Sequence, residues 1–163
     1  MKIKKLTVSG MFAALIFVTT MFVKIPVVSG YIHFGDALLY IAALILDAPY
    51  AIAAGVIGES FADLAGGYVM YMPATAIIKF LIALIFTFSK GNNRKLLTKK
   101  SALMTVPSAF ITVGGYFIAD LIIDKSYAIV DISGNVIQAV GSAIIFIIIA
   151  AALDKMKIFD KIS

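Results

Sequence analysis

The 163-residue sequence contains no cysteine, which excludes disulfides and thiolate metal sites. It has one histidine, His33, and a lone imidazole without a ligand partner does not build a metal centre. Charge is also scarce. Asp, Glu, Lys and Arg make up 14% of the chain, against roughly a quarter in soluble domains. No G-x-S-x-G elbow, H-E-x-x-H pair or Walker phosphate loop occurs. Nothing therefore marks a serine hydrolase or a zinc protease, and this chain does not itself hydrolyse ATP. The reading is of a non-enzyme that needs no cofactor.

What the sequence has in abundance is apolar length: 62% of its residues are hydrophobic, and the mean hydropathy is +1.05. Residues 1–163 read as one transmembrane domain of the all-α class. Six spans are expected, at 6–23, 37–46, 49–67, 72–89, 101–123 and 132–153. The second is about half the length that crosses a bilayer. A basic start followed by an apolar run and "VVSG" imitates a signal peptide, but the run is long and further spans follow, so it is read as the first span. Eleven of the fourteen Lys and Arg residues lie near the two termini or in the 90–100 connection. By the positive-inside rule, both termini and that connection are expected in the cytoplasm. The formal charge of +5 thus reads as topology, not as nucleic-acid binding. The expected location is a bacterial cell membrane, with lipid as the surrounding solvent.

The rare polar residues are not scattered. Glu59 and Asp63 are four apart and share a helix face. Beside them runs the row Ala54, Gly58, Ala62, Gly66, whose small side chains admit a close helix neighbour. Lys79 lies at a similar depth in the next span, so it is expected to pair with Asp63 or Glu59, or else to hold a ligand. Ser108, Thr112, Tyr116 and Asp120 form a stripe at four-residue spacing, and Asn135 and Gln138 open the last span. These groups converge in the outer half, while "AIIFIIIAAAL" leaves the inner half bare. The asymmetry suggests a pocket open to the outside instead of a pore. The first outer connection, with Tyr31, His33 and Asp36, is a candidate lid, and Tyr71 adds an aromatic wall. A small, flat, partly polar ligand suits such a site. The expected binding set is Tyr31, His33, Asp36, Glu59, Asp63, Tyr71, Lys79, Tyr116, Asp120, Asn135 and Gln138.

"YIHFGDALLYIAALIL" and "GVIGESFADLAGGYVMYMPATAIIK" carry a G-D-A-L helix entry, a G-x-x-x-A-D-L-x-x-G-Y run and a P-A-T-x-x-I-K run. Over roughly residues 30–80 they resemble the substrate-binding (S) subunits of energy-coupling factor (ECF) vitamin transporters, in the riboflavin, pyridoxine and hydroxymethylpyrimidine branch. The resemblance implies an S-component bundle that binds a vitamin outside. It also implies partners: a membrane scaffold (T) subunit and two cytoplasmic ATPases. Docking on the scaffold by a first-helix alanine-x-x-x-alanine signature is implied too. Here the nearest match is Gly10 and Ala14, with Ala13 beside them, and glycine replaces the first alanine. Pyridoxine or hydroxymethylpyrimidine is favoured as ligand over riboflavin. The competing reading is a standalone secondary or proton-coupled transporter titrating Glu59, Asp63 and Asp120. Against it, the inner half has no polar path and no inverted repeat is evident.

Overall fold

The structure is a computed structural model that describes residues 2–27, 30–90 and 95–157. Helix α1 (Lys2–Phe22) leads into a two-stranded antiparallel hairpin, β1 (Lys24–Val27) and β2 (Gly30–His33), in which Lys24 stands opposite His33. Then follow α2 (Gly35–Ile45), α3 (Ala48–Gly66), a 3₁₀ turn (Val69–Tyr71), α4 (Met72–Ser89), the short α5 (Lys99–Leu103), α6 (Thr105–Ile123) and α7 (Val130–Lys155). The helical class expected from sequence holds, and the hairpin is an addition to it.

Local chemistry sets several boundaries. Pro49 and Pro73 stand in the first turns of α3 and α4, where no intrahelical N–H is lost. Gly67 ends α3 with a φ of 84°, the left-handed geometry that favours glycine at a helix end. Thr98 and Ser101 form a reciprocal capping box at the start of α5.

Four helical stretches are long and apolar enough to cross a membrane: 2–22, 69–89, 99–123 and 130–155. α3 has 19 residues but carries Glu59 and Asp63, and α2 has only 11, about 16 Å at helical rise. The surface agrees with a lipid solvent. Phe110, Ile122, Phe88 and Ile148 are 75%, 80%, 69% and 63% exposed, a display that water penalises.

Contacts define two ends of the bundle. At one, Lys5 Nζ lies 2.5 Å from Asp47 Oδ2. There too, Lys90 Nζ donates to the Ile45 carbonyl at 3.1 Å, and the Asp154 carboxylate accepts from the Leu96 and Leu97 N–H groups at 2.8 and 2.9 Å. The first and last helices thus have their basic ends together. At the opposite end lie the hairpin and the polar residues.

Between these ends, the small-residue row of α3 packs on α1. A Cβ on Gly58 would stand 2.8 Å from the Ala13 carbonyl oxygen and from Ile16 Cγ2, so the two backbones approach as closely as glycine allows. The basic half of the interior is apolar and aromatic. Tyr40 of α2 stacks on Phe86 of α4 at 4.2 Å between centroids, and Phe146 of α7 meets both edge-on at 5.7 and 5.6 Å. Three helices are locked below the polar end by this cluster.

Candidate functional site

At the hairpin end, a cavity of about 170 Å³ opens between the helices. α1 contributes Thr20 and β2 contributes His33. α3 contributes Glu59 and Asp63, and the following turn supplies Tyr68 and Tyr71. Lys79 comes from α4, Tyr116 and Asp120 from α6, and Asp131, Gly134, Asn135 and Gln138 from α7. A separate hollow between α3 and α4, lined by Pro49, Ile52, Val56 and Phe80 among others, is apolar and belongs to the outer surface.

Lys79 does not pair as its sequence neighbours suggest. Its Nζ lies 2.5 Å from Asp36 Oδ1, and the two side chains are 1% and 0% exposed. The expectation of Asp63 or Glu59 as the partner is therefore corrected. α2 starts with Asp36 directed into the bundle, which places its carboxylate against α4. The other carboxylate oxygen, Oδ2, accepts from Gln138 Nε2 at 3.2 Å. Both oxygens are thus satisfied, a requirement for a charge pair withdrawn from water. The ammonium also lies 5.8 Å from the centroid of the Tyr116 ring, within cation–π range. Tyr116 Oη in turn meets Thr75 Oγ1 at 3.1 Å.

Gln138 ties three elements together. Its Oε1 accepts from the His33 N–H at 2.9 Å, while its Nε2 donates to Asp36 and, at 3.0 Å, to Ser142 Oγ. The hairpin is held to α7 by this side chain. His33 has a defined tautomer. The Gly35 N–H donates to its Nδ1 at 3.1 Å, so a neutral ring carries its hydrogen on Nε2, which faces Glu59 Oε2 at 4.0 Å. Burial pushes the His33 pKa down to about 4 and keeps the ring neutral.

The carboxylates left over are differently placed. Tyr71 Oη donates to Asp120 Oδ1 at 2.7 Å. Asp120 Oδ2, Glu59 Oε1 and Asp63 Oδ2 are buried atoms with no hydrogen-bond partner among the described residues. Burying a polar atom without a partner costs free energy, and all three oxygens belong to residues that line the cavity.

A family described as "ECF-type riboflavin transporter, S component" matches residues 1–155. The chain belongs to this S-component family. An uncharacterised protein of Pyrococcus woesei, named for its place in a gap 3′ region, is 32% identical over 132 residues, which is 78% of this chain and 86% of that protein. No solved structure matches. The family is a substrate-binding component of a transporter and not an enzyme.

In this S component the structure gathers nine of the eleven expected residues around one cavity: His33, Glu59, Asp63, Tyr71, Lys79, Tyr116, Asp120, Asn135 and Gln138. Asp36 lies behind the lining, bound to Lys79. The side chain of Tyr31 falls outside the described residues. Thr20, Tyr68, Asp131 and Gly134 also line the cavity and were not in the expected set. Asp131 and Gly134 precede Asn135 and Gln138 by four residues each, so helical spacing alone carried that signal. Thr20 offered none, lying beside Thr19 in a mostly apolar helix with no polar residue four positions before it. On α1, Gly10 and Ala14 are exposed, and a Cβ on Gly10 would meet nothing within 4 Å. Ala13 is partly buried, and its carbonyl lies against Gly58 of α3.

Proposed function

We propose that this chain is the high-affinity binding subunit of an ECF importer. It takes a small vitamin or vitamin precursor from the outer side and delivers it through a scaffold subunit driven by two ATPases. Both termini are then cytoplasmic, and α2 and α3 complete a six-span bundle with the four longer stretches. The cavity carries the reading. Its volume of about 170 Å³ lies below the roughly 300 Å³ at which sites for drug-sized ligands begin. One substituted six-membered ring, as in pyridoxine or hydroxymethylpyrimidine, suits it better than the three fused rings and sugar chain of riboflavin. Tyr68, Tyr71 and Tyr116 bring aromatic rings to the lining, and the carboxylates, Asn135 and Gln138 are the groups able to hydrogen-bond ring substituents.

The test is mass spectrometry of the small molecule that co-purifies with the detergent-solubilised protein, followed by uptake in vesicles with and without the scaffold and ATPases. Recovery of a single-ring vitamin, with uptake that requires the partners, supports the proposal. Recovery of riboflavin overturns the choice of ligand. Uptake by the chain alone overturns the importer reading and favours a standalone carrier.

A further inference from the structure

The cavity has an unbalanced charge. Four carboxylates line it, those of Glu59, Asp63, Asp120 and Asp131, against one ammonium, that of Lys79. That ammonium is already committed: it lies 2.5 Å from Asp36 Oδ1, behind the lining. Lys24 and Lys125, at the same end of the molecule, are exposed and do not line the cavity. Glu59 and Asp120 are 2% and 1% exposed, and each keeps one oxygen without a hydrogen-bond partner among the described residues. Asp63 has a third such oxygen. An ionised carboxylate is acceptor-only, so in that form none of these oxygens completes its bonding with another ionised carboxylate or with a ligand made of acceptors. A donor is required, and a charged donor offsets the cost of burying the anion. Tyr71 and Tyr116 belong to the same lining, and aromatic rings are compatible with a cationic ligand.

We propose, resting on the reading of this cavity as a vitamin site, that its ligand is a small cationic or amino-substituted heterocycle whose N–H groups meet Glu59, Asp63 and Asp120. An amine on a ring, or the ring-nitrogen and amino edge of an aminopyrimidine, presents donors to a carboxylate in the required geometry. A phosphorylated or carboxylated ligand brings acceptors and negative charge to a lining already rich in carboxyl groups. A neutral ligand with hydroxyl substituents supplies donors without the compensating charge.

Pyridoxamine and pyridoxine test this directly, because they share a ring and differ in one substituent, an aminomethyl in place of a hydroxymethyl. Affinities are measured by titration calorimetry on the full chain in detergent, together with 4-amino-5-hydroxymethyl-2-methylpyrimidine, riboflavin and pyridoxamine 5′-phosphate. The expected result is that pyridoxamine binds at least tenfold more tightly than pyridoxine, the aminopyrimidine binds, and the phosphate ester binds at least tenfold more weakly than pyridoxamine. Glu59→Gln and Asp63→Asn, each first shown to melt as the parent does, are expected to shrink the pyridoxamine-to-pyridoxine ratio toward one. Equal or tighter binding of pyridoxine or riboflavin overturns the proposal and leaves the vitamin-site reading standing. An unchanged ratio in both carboxylate variants also overturns it. Absence of binding across the whole series overturns the proposal together with the vitamin-site reading.

Discussion

Lys79 Nζ and Asp36 Oδ1 stand 2.5 Å apart across 43 residues of sequence, inside a bundle where neither side chain is more than 1% exposed. The pair joins α2 to α4, and Gln138 joins it to α7. Removing Lys79 leaves a buried carboxylate without its counter-charge, a loss of about 3–5 kcal/mol. Lys79→Met is therefore expected to lower the melting temperature in detergent sharply. Combining it with Asp36→Asn should restore most of the loss, while combining it with Asp63→Asn or Glu59→Gln should not. Rescue by Asp63→Asn alone would move the partner to α3 and contradict the geometry.

The seam between α1 and α3 makes a second prediction. A side chain at Gly58 meets the Ala13 carbonyl and Ile16, whereas one at Gly114 meets nothing within 4 Å. Gly58→Val should cost about 1–3 kcal/mol through overpacking. Gly114→Ala, inside α6, should be neutral or stabilising by up to about 1 kcal/mol, since glycine is the poorer helix residue. Thermal unfolding of the two variants side by side is the measurement, and equal effects would place the close helix approach elsewhere.

On α1 the two faces should separate by phenotype. Gly10 and Ala14 are exposed, while Ala13 is partly buried with its carbonyl against α3. Leucine at both Gly10 and Ala14 is expected to abolish uptake by the assembled importer but to leave ligand binding by the isolated subunit within about twofold, because bulk there holds a partner helix away. Ala13→Leu should instead lower stability and binding together. If the double variant loses binding as well, the exposed face supports the fold and not a scaffold contact.

Topology can be read by labelling. Met156 is 61% exposed near the basic end, and Ser126 is exposed at the cavity end. In intact cells, cysteine at Ser126 should react with a membrane-impermeant thiol reagent, and cysteine at Met156 should react only after permeabilisation. The absence of native cysteine makes the background clean. The opposite pattern would turn the cavity toward the cytoplasm.

Much of this protein was legible in one dimension. Apolar runs longer than a bilayer is thick show where helices form, and their ends fall within a few residues of the expected limits, as in α4 at Met72–Ser89. Four-residue spacing told which residues of one helix share a face: in the stripe Ser108, Thr112, Tyr116 and Asp120, the tyrosine is partly buried and the other three are buried. The clustering of polar groups toward one end was also visible, because position along a span converts directly to depth.

Sequence could not say which carboxylate meets Lys79. That depends on the rotation of each helix about its own axis and on which helices are neighbours, and neither quantity is periodic in the chain. Depth and order favoured Asp63 and Glu59, yet the fold brings in Asp36 from the start of α2 and turns the other two toward the cavity. The hairpin at 24–33 was hidden for a related reason. Its pairing of Lys24 with His33 is a contact between strands of four residues each, too short to show an alternation. Thus the sequence determined a membrane-embedded helical protein with a polar end. Tertiary packing alone decided that the buried Lys79 is neutralised by Asp36 from behind the lining and that Glu59, Asp63 and Asp120 line the cavity.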